Sequence, residues 1–166
     1  NEVTFSFDCL STEYGDPFDN MGGNPPYHFN APHKEEAGWI TEENNILISN
    51  GTYRLKPLEL VFPSGNIQQI KLPITFESSS FAGSDKAYYS IEYRGNFDYD
   101  RYIYPSTIYN SVLIHMSQFG VPTNLLKINT SMNLFDLSYD FYLKAGQSYI
   151  DAMNGYNITL LNVTEE

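Results

Sequence analysis

The sequence predicts an all-β fold. Specifically, residues 1–166 form a single antiparallel β-sandwich with at most two short helical turns. Three observations predict it. Apolar and polar residues alternate with period two over most of the chain, which places successive side chains on opposite faces of a strand. Aromatic residues make up 16% of the chain, with 14 Tyr and 11 Phe, and these side chains fit a pleated, half-buried surface. Gly, Pro and Asn interrupt the alternating runs at intervals of roughly 8–14 residues, the rhythm of sheet turns.

"VTFSFD" sets Val3, Phe5 and Phe7 against Thr4, Ser6 and Asp8. Cys9, the only cysteine, reads as a buried strand thiol, or as the partner of a cysteine elsewhere. Residues 11–32 carry Gly15, Gly22 and Gly23 with Pro17, Pro25, Pro26 and Pro32 and do not alternate. A loop of that length is of the functional or mobile kind. "HKEEAGWITEE" (33–43) has room for one helical turn before Gly38.

"NILIS" (45–49) reads as a strand, as does "TYRLKPLELVF" (52–62), with Pro57 breaking the latter or placing it at an edge. "PSG" (63–65) turns it toward "NIQQIKLPITF" (66–76), giving an expected hairpin. "KAYYSIEYRG" (86–95) sets Tyr89, Ile91 and Tyr93 against Tyr88, Ser90 and Glu92, and a second hairpin with "FDYDRYIYP" (97–105) is expected. "NSVLIHMS" (110–117) and "NLLKINTSM" (124–132) add strands separated by Gly120 and Pro122. Leu137, Tyr139, Phe141 and Leu143 share a face before the Ala145-Gly146 break, and a last run holds Tyr156, Ile158 and Leu160. "QSYIDAMNG" (147–155) has a short helix-like spacing, marginal at that length. Each strand is expected to put one face into the core and one into water.

The charge narrows the partners. Twenty acids against nine bases give a net charge of −11, which repels nucleic-acid backbones and anionic membranes alike. No apolar run reaches the length of a membrane-spanning helix, so no membrane insertion is expected. The chain begins at Asn1 with neither an initiator Met nor a signal peptide, and a processed or trimmed chain is expected. Four Asn-x-Ser/Thr sequons, at Asn50, Asn129, Asn157 and Asn162, are acceptors only in a glycosylating host.

No G-x-S-x-G, H-E-x-x-H, P-loop or G-x-G-x-x-G pattern occurs, and the chain is expected not to be an enzyme. Binding chemistry is better represented. In "NFDYDRYIY" (96–104) a strand would set Asp98 and Asp100 on one face, their carboxylates about 6.6 Å apart, with Tyr99 and Arg101 on the other. Acids there can grip sugar hydroxyls, and Tyr99 and Tyr102 offer flat faces for stacking. Trp39, flanked by acids, is either core or a stacking platform. Asp16, Asp19 and His28 bring polar groups from the long loop. His28, His33, Glu35 and Glu36 have the chemistry of a loop metal site, but the histidines are scattered, and no metal or cofactor is expected. His115, in an apolar strand, reads as structural.

The closing strands carry a family signature. "FYLKAGQSY" followed by "YNITLLNV" (Phe141 to Val163) resembles the last strands of chaperone–usher fimbrial subunits and adhesins and of spore-coat-protein-U-like domains, and "FPSGNIQQIKLPITF" resembles their strand pairs. The resemblance implies an Ig-like or jelly-roll sandwich on the extracellular surface, in a fimbrium. A tip adhesin would recognise a host glycan or surface receptor. The alternatives are a structural pilus subunit that receives a neighbouring subunit's strand and a carbohydrate-binding module of a polysaccharide-degrading enzyme.

Overall fold

The computed structural model describes residues 13–22, 27–48, 50–75, 87–103, 106–118, 121–128 and 141–164. "VTFSFD", Cys9, Leu137 and Tyr139 lie outside the described residues. The fold is all-β with little helix. Strand β1 (Asn45–Leu47) is followed by β2 (Gln69–Pro73), β3 (Tyr88–Tyr93), β4 (Ser111–Gln118) and β5 (Val121–Leu125), adjacent in that order in one sheet. Beside β5, β6 (Tyr142–Lys144) also pairs with β4, taking Ser111–Leu113 while β5 takes His115–Gln118. The final strands, β7 (Ser148–Asp151) and β8 (Tyr156–Thr159), form a separate hairpin. Gly146 and Gly155, at φ of +80° and +72°, make the turns before and within that hairpin.

Three expectations are corrected. First, β1 and β2 run parallel, so the sheet is mixed rather than antiparallel. Residues 52–62, expected to be a strand in a hairpin, instead carry the crossover that a parallel pair requires. Their one bridge joins Pro57 to Tyr93. Side chains take the carbonyls a ladder would use. Gln68 Nε2 donates to the carbonyls of Pro57 and Leu60 at 2.9 and 2.8 Å, and Lys34 Nζ donates to that of Leu58 at 2.7 Å.

Second, residues 97–103 of "FDYDRYIYP" make no hairpin strand. Asp98–Tyr102 and Ser106–Asn110 are 3-10 turns. Strand β3 already has β2 on one edge and β4 on the other, so no edge is free for a third partner. With Asn20–Gly22 and the helix α1 (Ala31–Glu36) the helical pieces number four among the described residues, not two. Asn30 caps α1, its Oδ1 accepting from His33 N at 3.0 Å, with Pro32 in the first turn. Gly38 at φ +73° ends it.

Third, β3 and β4 are buried on both faces. The register sets Ile70, Ile91 and Ile114 across one face, with Leu72, Tyr89 and Met116 beside them. This face joins Leu143 and Tyr149, against which Tyr156, Ile158 and Leu160 pack. Burying each such side chain stabilises by about 1.5–3 kcal/mol. The opposite face carries Gln69, Ser90, Glu92 and His115, all fully buried. It lies beneath α1 and residues 13–22 and 27–30, whose Asp16, Phe18, Asp19 and Asn30 point inward. The alternation was read correctly, but the polar face meets a second polar layer instead of water.

Candidate functional site

A polar face under cover must satisfy its own groups, since an unpaired buried charge is costly. Glu92, on β3, is bound on both oxygens: Arg94 Nε donates to Oε1 at 2.8 Å and Ala31 N to Oε2 at 2.5 Å. Arg94, with no solvent exposure, also donates from Nη1 to Asp100 Oδ2 at 2.6 Å and to the His28 carbonyl at 3.3 Å. On β4, His115 Nε2 donates to Asp16 Oδ2 at 2.9 Å, and its Nδ1 lies 3.8 Å from Glu92 Oε2. Asp19 accepts from Asn30 N at 2.8 Å and faces His33 Nδ1 at 2.8 Å. Glu59 accepts from Gly95 N on both oxygens, at 3.1 and 3.0 Å.

The electrostatics follow from these contacts. Burial pushes Glu59 well above the usual carboxylate range. Burial opposes charge on Asp100, but Arg94 outweighs it and holds Asp100 low. Burial likewise opposes charge on His115, yet Glu92 and Asp16 raise it. The bond to Asp19 raises His33. Burial, with Lys34 nearby, lowers His28.

This buried cluster holds one exposed element. Asp100 anchors the 98–102 turn: besides Arg94 it accepts from His28 N at 2.7 Å, and its carbonyl accepts from Tyr109 Oη at 2.5 Å. Within the turn, Asp100 N donates to the Phe97 carbonyl at 3.0 Å and Ile103 N to that of Asp100 at 2.9 Å. Asp98 is held at φ +46°, a region non-glycine residues enter at a cost, and such residues cluster at functional sites. A Cβ on Gly95 would come within 2.4 Å of the Phe97 ring, so a glycine lets the chain fold back tightly over Phe97.

What the turn presents outward is aromatic and charged. Tyr99 is 55% exposed and Tyr102 71%. Arg101 Nε donates to the Asp98 carbonyl at 2.6 Å, and its guanidinium lies 5.8 Å from the Tyr102 ring centre. The His28 ring lies 5.7 Å from that of Tyr99, and His28 Nε2 is 3.9 Å from Asp98 Oδ2. Tyr27 Oη donates to the Tyr102 carbonyl at 3.4 Å.

Of the residues singled out in the sequence, Asp98, Tyr99, Arg101, Tyr102 and His28 therefore come together at the surface. Asp100 does not share their face. It points inward, because the segment is a 3-10 turn rather than a strand, and the expected carboxylate pair with Asp98 is not formed. Asp16 and Asp19 are internal partners of His115 and His33. Trp39 is 63% exposed and packs edge-on against Phe29 at 5.6 Å, apart from the tyrosines of the turn. His115, read as structural, is fully buried and paired with Asp16. No group of three or more His, Cys, Asp or Glu is arranged to hold a metal ion among the described residues. Sequence reasoning missed Arg94, Glu92 and Glu59. The available signal was a charged pair, Glu92 and Arg94, in the strongest alternating run of the chain. No protein family, curated protein or solved structure matches the chain.

Proposed function

We propose that this chain is a non-catalytic, adhesin-type recognition domain, displayed extracellularly, that binds a glycan or surface receptor through the 97–102 turn and His28. One observation carries the reading: an exposed Tyr99–Tyr102 surface sits on a turn whose central residue, Asp100, is fixed by fully buried ionic partners. Pre-positioned aromatic faces lose little entropy on binding, and flanking Asp98 and Arg101 supply hydrogen bonds to hydroxyls or to a protein rim. Two surface depressions of about 290 and 380 Å³ lie around Thr52–Lys56, away from the turn. The contacts of the turn are individually weak, so multivalent display would supply avidity.

The test is a glycan array probed with the tetramerised domain and with Tyr99→Ala/Tyr102→Ala. We expect ligands retained by the wild type and lost at least about tenfold by the double variant, the scale of one stacking contact, with an unchanged melting temperature. An empty array, together with no binding to cell surfaces, would overturn the reading. Oligomerisation of the isolated chain, reversed by a donor-strand peptide, would favour the structural-subunit alternative.

A further inference from the structure

Arg101 follows two acids in "DYDRY", and neither neutralises it. Asp100 turns inward, where Arg94 Nη1 and His28 N donate to its two oxygens at 2.6 and 2.7 Å. Asp98, at φ +46°, offers Arg101 its carbonyl instead of its carboxylate. Arg101 Nε donates to that carbonyl at 2.6 Å, while the Asp98 carboxylate lies 3.9 Å from His28 Nε2. No carboxylate pairs with Arg101 among the described residues. The bond through Nε fixes the plane of the exposed guanidinium, which lies 5.8 Å from the Tyr102 ring centre. It also leaves the fork of Nη1 and Nη2, which makes no hydrogen bond or ion pair among the described residues. A chain with 20 acids and nine bases thus presents, on its recognition turn, a cation cleared of the acids beside it. This gives the strained backbone of Asp98 a function: it turns a carbonyl toward Arg101 and the carboxylate away.

We propose that the turn recognises an acidic sugar: the sugar ring lies against the tyrosine faces, and its carboxylate is held bidentate by Arg101 Nη1 and Nη2. The inference rests on the recognition surface proposed above and names its ligand class. A planar, pre-positioned guanidinium fork matches the two oxygens of a carboxylate. Beside it Tyr99, 55% exposed, and Tyr102, 71% exposed, offer flat apolar faces for a pyranose ring. A neutral sugar gains the stacking and lacks the charged contact. An acidic peptide brings the carboxylate without a ring to stack.

The net charge of −11 opposes a distant anion, but it is screened at contact. Exposed charges more than about 8 Å apart barely interact at physiological ionic strength, so a bound carboxylate responds chiefly to the turn itself. Of the two acids there, Asp100 is buried against Arg94 and Asp98 stands on the His28 side.

The experiment uses the whole chain at neutral pH, where sugar carboxylates are ionised. Backbone amide shifts are followed by NMR during titration with D-glucuronate and with N-acetylneuraminate, each beside its own carboxamide, and with tetraglutamate. We expect saturable shifts at residues 97–102 with at least one of the two sugar acids, and an affinity at least about tenfold lower for its carboxamide. We expect Arg101→Gln to bring the acid down to the level of the carboxamide. Equal affinity for acid and carboxamide would overturn the proposal and leave the recognition surface standing. That comparison needs no variant, so it holds even if Arg101→Gln disturbs the turn. An Arg101→Gln chain that keeps the preference for the acid would also overturn it, as would an absence of shifts at 97–102 with both acids. Binding of tetraglutamate as tight as that of the sugar acids would overturn the assignment to a sugar.

Discussion

Arg94 is the residue on which the site depends. Its Nε holds Glu92 and its Nη1 holds Asp100, all three without solvent exposure. Such a pair contributes little against an apolar replacement of the whole group, but removing one partner strands the others. Arg94→Met leaves two fully buried carboxylates without the cation they share. The expected loss is about 3–5 kcal/mol of unfolding free energy, read by urea denaturation, a large share of the margin of an ordinary domain. A loss below 1 kcal/mol would mean that the carboxylates find other partners or protonate at little cost. Asp98 is the opposite kind of residue: exposed, at φ +46°, with its carboxylate no closer than 3.9 Å to His28 Nε2.

At the scale of elements, two histidines clamp the 13–22 segment and α1 against the sheet: His115 on Asp16 and His33 on Asp19. Both are raised above the ordinary histidine value of 6.5. A raised base stabilises fully below its unfolded value, and the stabilisation is lost as pH rises through the folded value. Asp16, held low chiefly because His115 outweighs its burial, keeps its contribution above 3.8 and loses it as pH falls through its folded value. The docking is thus strongest in mildly acidic solution. Relative to His33→Gln and His115→Gln, the wild type is expected to lose stability as pH rises above about 6.5, by at most about 1.4 kcal/mol per pH unit per histidine. Melting temperatures across that range check it; parallel curves for wild type and variants would contradict it.

The same elements show what was legible in the sequence. Period two located β3, β4 and β8, because propensity, alternation and burial agree there; β7 falls within 147–155, whose spacing reads as helix-like but which forms a strand. It misassigned 52–62 and 97–105, where the alternation is equally regular. Strand formation needs a free edge, and β1 and β3 occupy both edges of β2 as β2 and β4 do those of β3; a local pattern carries no information about edges. For the site, Tyr99, Tyr102, Asp98, Arg101 and His28 were legible as surface chemistry. Glu92 and Arg94 were not, because a charged residue at an alternate strand position reads as solvated. Only the covering segment, 72 residues from Asp100 at its His28 contact, makes them internal.

Across the whole molecule the two faces of one sheet do different work. One face is apolar and closes on the β7–β8 hairpin, supplying cohesion. The other is an ion cluster that fixes a surface turn, converting burial into position. With a net charge of −11 the exterior repels polyanions. The buried cluster is what positions that turn. A crystal structure of Asp100→Ala tests it most directly. Arg94 keeps Glu92 in that variant, so the sheet should be unchanged, while residues 97–102 should leave their present path and Asp98 its positive φ. A turn that keeps its conformation without the Asp100 carboxylate would contradict the account.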